Sequence, residues 1–141
     1  VDREELFAQS DVVSLHVKLT EQTEKMVGRA ELALMKPGTL LVNTARGGVI
    51  DRDALVDALQ SGQLAGAGLD CQASEPPVGV SAQLVGLDSV VATPHSGSLT
   101  ITARIRMAQM AARSIVAVLQ GRVPEQVVNR EVLEKLGLKP S

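Results

Sequence analysis

Aromatic side chains are nearly absent from this 141-residue chain, which has one Phe, no Tyr and no Trp. It therefore offers no platform on which bases could stack. Lys and Arg number 14 against 16 Asp and Glu, a formal net charge of −2 with pI about 5.7, so there is no positive surplus for phosphates either. Nucleic-acid binding is set aside on both counts. Cysteine is equally scarce. Cys71 stands alone, cannot form an internal disulfide and lacks the paired spacing of a zinc site, so it reads as a small buried residue near a strand end in a reducing compartment. No metal is expected. No apolar run approaches the roughly 18 residues that a membrane span requires, and no charged n-region with an apolar h-region opens the sequence. No membrane partner and a cytoplasmic location are expected. The first residue is Val1, and the text opens inside a helix-like phrase, Asp2-Arg3-Glu4-Glu5-Leu6-Phe7, so a removed start or a longer parent chain is expected.

What is present belongs to a folded chain: 45% hydrophobic and 21% charged residues, far from the polar composition of disorder. Four short apolar runs, at 12–17, 40–43, 65–70 and 90–92, recur with helical pattern between most of them. They are rich in Val and Leu and nearly continuous, which predicts parallel strands covered on both faces by helices. Helices are marked by punctuation. Asp51 reads as an N-cap, with Ile50 placed to staple against Leu55, and Ala54, Leu55, Ala58 and Leu59 form a stripe that Gly62 ends. A helix over 29–35 is stopped by Pro37-Gly38. The longest should run over about 102–120, since Ile105, Ala108, Ala112, Ile115 and Leu119 recur at steps of three and four before Gly121. A short amphipathic piece at 131–136 and a polar end close the chain.

In open parallel sheets ligands bind beyond the carboxyl ends of the strands, so the residues after each predicted strand carry the chemistry. After the second come Asn43-Thr44-Ala45-Arg46-Gly47-Gly48; after the third, Asp70-Cys71-Gln72-Ala73-Ser74-Glu75-Pro76-Pro77; after the fourth, Thr93-Pro94-His95-Ser96-Gly97-Ser98. An Arg, a Glu and a His thus converge on one sheet edge. A guanidinium grips a carboxylate through two parallel hydrogen bonds, and an imidazole exchanges a proton near neutral pH. A neighbouring carboxylate favours the imidazolium and selects the nitrogen that faces the substrate. The set suits a carboxylic acid whose adjacent carbon alternates between alcohol and ketone. Gly47-Gly48 is read as letting the backbone turn and approach a ligand, and Thr93-Pro94 as stiffening the approach to His95. Gly66-Ala67-Gly68 is not a dinucleotide fingerprint, because no Gly follows three positions later; close helix packing is the expected reason for it.

These phrases, in this order, resemble the D-isomer-specific 2-hydroxyacid dehydrogenases. The likeness runs from Ser10-Asp11-Val12-Val13-Ser14-Leu15-His16-Val17 through Met35-Lys36-Pro37-Gly38 and the Arg46, Asp70 and Glu75 segments to Thr93-Pro94-His95-Ser96-Gly97. The resemblance implies an α/β, Rossmann-like doubly wound parallel sheet, its second half only, with a long C-terminal helix. It implies that Arg46 binds the substrate carboxylate, that His95 is the acid/base paired with Glu75, and that NAD or NADP exchanges the hydride. Val17, Thr44, Ala45, Arg46, Asp70, His95, Ser96, Gly97 and Ser98 match positions that touch the cofactor, Asp70 meeting the nicotinamide end. His16 also has a counterpart but reads as structural.

The chain departs from the family pattern in two ways. Lys18 stands where the family usually has Pro, near the adenosine half of the cofactor. The Gly-rich turn that opens the nucleotide-binding domain, and the acidic residue that follows it, do not occur in these 141 residues, nor does a substrate domain. The expectation is a C-terminal portion of a longer enzyme. Residues 1–97 would belong to the dinucleotide-binding domain and 98–141 would return toward the substrate domain, the parent being a homodimer. Three rivals share much of the pattern. Formate or phosphite dehydrogenases use the same fold, but formate enzymes have Gln at the position of Glu75. Carboxy-terminal-binding corepressors share the Arg, Glu and His and sense the dinucleotide. The third rival is an inactive remnant of the enzyme.

Overall fold

The computed structural model describes residues 1–135, which divide between Gly97 and Ser98 into two compact units. In the first unit four strands, β1 (Val12–Leu15), β2 (Thr39–Asn43), β3 (Leu64–Leu69) and β4 (Val90–Ala92), lie side by side in chain order, every pair parallel. Parallel neighbours require crossovers. These are supplied by α2 (Arg29–Leu34) between β1 and β2, α3 (Arg52–Gln60) between β2 and β3, and α4 (Val80–Val85) between β3 and β4; α1 (Arg3–Gln9) precedes the sheet. The Rossmann-like fold class read from the sequence is the one observed.

Local chemistry explains the helices. The Asp2 carboxylate caps α1 by accepting the Glu5 N–H at 2.8 Å, and Asp51 caps α3 by accepting from the N–H groups of Asp53 and Ala54. Glu31 reaches back from α2 to accept the Gly28 N–H at 3.0 Å. Gly38 and Gly62 take positive φ angles of 89° and 77° where the chain leaves α2 and α3. The sole aromatic residue, Phe7, is buried on α1 and joins Val13, Leu15, Leu32, Leu41, Leu55, Leu69 and Leu84 in one core.

Register decides which face is buried. Val13 pairs with Leu41, Leu41 with Ala67 and Ala67 with Val90, so one row of apolar side chains points into the helix layer. On the opposite face, Val12, Leu40 and Val91 are 56%, 44% and 71% exposed. The expected helix cover on both faces is therefore corrected to a single covered face. Near-continuous apolar runs cannot reveal this, because both rows are apolar by composition. The helix α4, over Val80–Val85, and the 3₁₀ turn over Gly47–Val49 were not anticipated. Both are too short to show a period.

The reason for Gly66 also differs from the expected helix packing. β2 and β3 slip register at Ala65, and a Cβ on Gly66 would lie 2.8 Å from the Ser89 carbonyl oxygen in the turn before β4. Gly68 would meet only Val42 side-chain atoms at 3.8 Å.

In the second unit α5 (Ile101–Leu119) begins at Thr100, whose hydroxyl accepts from the Ala103 N–H at 3.1 Å, and ends before Gly121 with φ of 68°. Only Ala117 on α5 is buried, and the anticipated stripe residues Ile105, Ile115 and Leu119 are exposed. The short α6 (Glu131–Lys135) occupies the expected amphipathic piece; Leu136 and the polar end that follows lie outside the described residues. Among the described residues no helix is long and apolar enough to cross a membrane.

The glycine geometry gives a direct test. Gly66→Ala should destabilise the first unit by about 1–3 kcal/mol, because the new methyl forces the β3 backbone from Ser89. Gly68→Ala should be close to neutral. Urea unfolding of the two variants measures the contrast, and equal losses would remove Ser89 as the cause.

Candidate active site

The row Leu15, Asn43, Leu69 and Ala92 is in mutual register, so β1 to β4 all end at one edge. The residues that follow form three loops there. After β2, the buried Asn43 shapes the turn with both ends of its amide. Its Oδ1 accepts the Ala45 N–H at 3.0 Å and its Nδ2 donates to the Arg46 carbonyl at 2.9 Å. Arg46 itself is exposed. Its Nη1 donates to the Ala45 carbonyl at 2.6 Å, which leaves most of its five N–H donors free. Behind it, Val27 and Ile50 form a parallel bridge, and Lys25 N–H donates to the Gly48 carbonyl at 2.8 Å. The segment after β1 thus holds the base of the Arg46 turn.

Gly47 was expected to admit a ligand. Its close neighbour is instead the protein's own backbone: a Cβ there would lie 2.4 Å from Gln72 C and Ala73 N. The Arg46 turn and the loop after β3 are therefore in contact main chain to main chain. On that second loop, Cys71 is buried as anticipated and its thiol donates to the Ala45 carbonyl at 3.3 Å. Burial, followed by the charge of Asp70, raises the Cys71 thiol above its ordinary value. It is a poor nucleophile.

Glu75, on the same loop, meets His95 on the loop after β4. His95 Nδ1 lies 3.1 Å from Glu75 Oε1 and 3.3 Å from Oε2, with the two side chains 42% and 48% exposed. At that exposure the pair contributes little to stability. What it does is fix the ring: with Nδ1 turned to the carboxylate, Nε2 is left to face a reactant. His95 has φ of 53°, the left-handed region that a non-glycine residue rarely occupies. A cavity of about 370 Å³ opens beside the pair, bounded by Gln72, Glu75, Pro76, Val85, Thr93 and His95.

Asp70 links the loops after β3 and β4. Its Oδ1 accepts the Ser96 N–H at 2.8 Å and the Thr93 hydroxyl, while Oδ2 accepts the Gly97 N–H at 2.9 Å. Those donors, the Thr93 hydroxyl foremost and then the Ser96 and Gly97 amides, lower its carboxyl from the ordinary 3.8 to about 2.

Of the residues singled out in the sequence, Arg46, Asp70, Glu75, His95, Ser96 and Gly97 lie in the three loops at this edge, with Thr44 and Ala45 in the first of them. Val17 is exposed beyond the end of β1. Ser98 is the first residue of the second unit. His16 Nε2 lies 2.9 Å from Ser14 Oγ, a local contact. Two participants are not singled out in the sequence, Asn43 and Gln72, whose Nε2 is buried without a hydrogen-bond partner among the described residues, and Thr93, expected only to stiffen the approach to His95, also donates to Asp70. Asn43 was legible as a turn-forming residue closing a strand; nothing marked Gln72. No cluster of three or more His, Cys, Asp or Glu able to hold a metal occurs among the described residues.

Comparison with known proteins follows the same boundaries. Residues 1–97 match the family model described as the D-isomer specific 2-hydroxyacid dehydrogenase NAD binding domain. The chain is 47% identical over 133 residues to a glyoxylate reductase of Thermococcus litoralis, covering 94% of this chain and 40% of that protein. Among solved structures it superposes on a D-lactate dehydrogenase from Treponema pallidum with a TM-score of 0.83 at 36% identity, covering 89% of this chain and 41% of that one. It also superposes on a D-lactate dehydrogenase with NAD+ from Lactobacillus jensenii, with a TM-score of 0.84 at 32% identity, covering 92% and 43%. The chain thus spans about 40% of the length of the relatives it matches.

Asp70 generates a prediction in acid. A carboxyl whose folded value lies below its unfolded value of about 4 stabilises the fold above that pH, and the contribution is lost as pH falls through about 2. Wild type should therefore exceed Asp70→Asn in unfolding free energy at pH 7, and the gap should close between about pH 4 and pH 2. A gap independent of pH in urea titrations would show that the charge on Asp70 is not what stabilises the loop.

Proposed function

The chain belongs to the D-isomer specific 2-hydroxyacid dehydrogenase family, and on that premise we propose that it carries the catalytic residues of an oxidoreductase interconverting a small D-2-hydroxy acid and its 2-oxo acid. The observation that carries the reading is the Glu75–His95 pair on the same strand edge as the exposed guanidinium of Arg46. Residues 1–97 are assigned to the dinucleotide-binding domain, with 98–141 running toward a substrate domain in the whole protein. That protein is proposed to be a cytoplasmic homodimer. The names of the relatives, glyoxylate reductase and D-lactate dehydrogenase, support a short 2-oxo acid as substrate.

In this reading Arg46 holds the substrate carboxylate by a two-pronged hydrogen bond and thereby sets the position of the adjacent carbonyl. His95, protonated and held through Nδ1 by Glu75, gives its Nε2 proton to the carbonyl oxygen as that oxygen becomes a hydroxyl; in the reverse direction it takes the proton back. The nicotinamide, when bound, supplies or accepts the hydride. The residues present fit its reactive end. Asp70 has one acceptor position left on Oδ2, and the segments 44–45 and 96–97 bring backbone to the same edge. The family description and the neighbour solved with NAD+ support NAD as the cofactor.

Turnover of a panel of 2-oxo acids by the whole protein with NADH and with NADPH tests the proposal; no turnover with any pair would end it. Arg46→Lys should raise KM and lower kcat together, since the charge survives but the planar fork does not. His95→Ala should lose roughly 10²–10⁴ of kcat in both directions. Glu75→Gln, which loosens the hold on His95 Nδ1, should lower kcat while leaving KM for the 2-oxo acid nearly unchanged, and an unchanged kcat would remove Glu75 from the mechanism. The 141 residues lack a glycine-rich turn for the pyrophosphate, so calorimetry on this chain alone should detect no dinucleotide binding.

A further inference from the structure

We infer that Asp70 is a positioning residue for His95: its carboxylate is the acceptor onto which the loop 93–97 folds, and this hold keeps His95 in the backbone conformation that turns its ring to Glu75. The inference rests on the dehydrogenase reading for its functional meaning, but its structural part stands on geometry alone. Four donors converge on one buried carboxylate, and they bracket His95: the Thr93 hydroxyl on one side, the Ser96 amide and hydroxyl and the Gly97 amide on the other. Inside that bracket His95 N–H donates to the Thr93 carbonyl at 2.9 Å, closing a tight turn. The positive φ of His95 is unfavourable for a residue with a Cβ, so it persists only where neighbours dictate it. Pro94 lacks an N–H, and none of the backbone bonds found in this loop pairs Ser96 or Gly97 with another strand. Asp70 is what they have.

Gly97 has a fitting shape for the same role. A Cβ there would stand 3.0 Å from Asp70 Oδ2, so the approach of its amide to the carboxylate is close. Oδ1 is filled by the Thr93 hydroxyl and the Ser96 amide, with the Ser96 hydroxyl at 3.4 Å, whereas Oδ2 holds only the Gly97 amide. The carboxylate therefore serves the loop first and retains one acceptor position for a cofactor group. Four of the bonds that this carboxylate accepts come from the loop 93–97 itself, so holding that loop is a role separate from meeting a nicotinamide.

Asp70→Asn separates the two roles, because the amide must point an NH₂ at either the Ser96 or the Gly97 donor. Thr93→Val removes one donor while keeping shape and leaves Asp70 intact, so it decides the matter should Asp70→Asn fail to fold. Hydrogen exchange on the whole protein without cofactor should quicken at least tenfold at the Ser96 and Gly97 amides in both variants, while the Leu41 and Ala67 amides of the sheet keep their rates. Thr93→Ser, which retains the hydroxyl, should restore the slow rates. In the whole protein Asp70→Asn should then lower kcat at saturating dinucleotide. Unchanged exchange at Ser96 and Gly97, or an equal rise throughout the sheet, overturns the inference. So does an effect confined to KM for the dinucleotide. Quickened exchange in a whole protein that turns over no 2-oxo acid would instead leave the hold intact and defeat the dehydrogenase reading.

Discussion

Strands that run the same way must finish at the same edge, and everything of chemical interest in this chain depends on that constraint. The register that aligns Leu15, Asn43, Leu69 and Ala92 places the next residues of each strand within one loop layer. Arg46, Glu75 and His95 are 29 and 20 residues apart along the chain, yet the sheet needs only short loops to gather them. The helices α2 to α4 act as spacers whose buried faces hold the strands in that register.

The loops that carry Arg46, Glu75 and His95 are in turn held by buried polar groups at the strand ends. Asn43 folds the first loop by bonding its own downstream backbone, and Asp70 folds the third from the neighbouring strand. Both are buried at strand ends, where an unpaired polar group is expensive, so each is committed to a specific set of donors and acceptors. Arg46, Glu75 and His95 can remain exposed because their backbones are fixed from below. The division places cost in the interior and freedom at the surface.

Much of this was legible in the sequence. The four apolar runs coincide with β1 to β4 to within two residues at each end, since Val- and Leu-rich runs bounded by turn residues leave few alternatives. Asp51, Gly62 and the α5 boundary were also readable, because caps act locally. What could not be read depends on partners distant in sequence. The single covered face of the sheet follows from which helices are present, not from the strands, whose Val12 and Val13 look alike until one is seen exposed and the other buried. Gly47 and Gly66 carried a visible signal, small size, but not its reason, which lies 25 and 23 residues away in Gln72 and Ser89. The convergence of Arg, Glu and His was legible from strand-end logic, whereas the hold of Asp70 on Thr93, Ser96 and Gly97 needed the fold.

The contact at Gly47 has a mechanical meaning. Only a hydrogen separates that residue from the Gln72–Ala73 backbone, so no side chain can rotate or compress to absorb relative motion. Arg46 lies one residue before this seam and Glu75 two residues after it. The spacing between Arg46 and Glu75 is consequently a property of main chain pressed on main chain. It behaves as a stiff plate rather than as two independent fingers, and a lengthened loop on either side would tilt both groups at once.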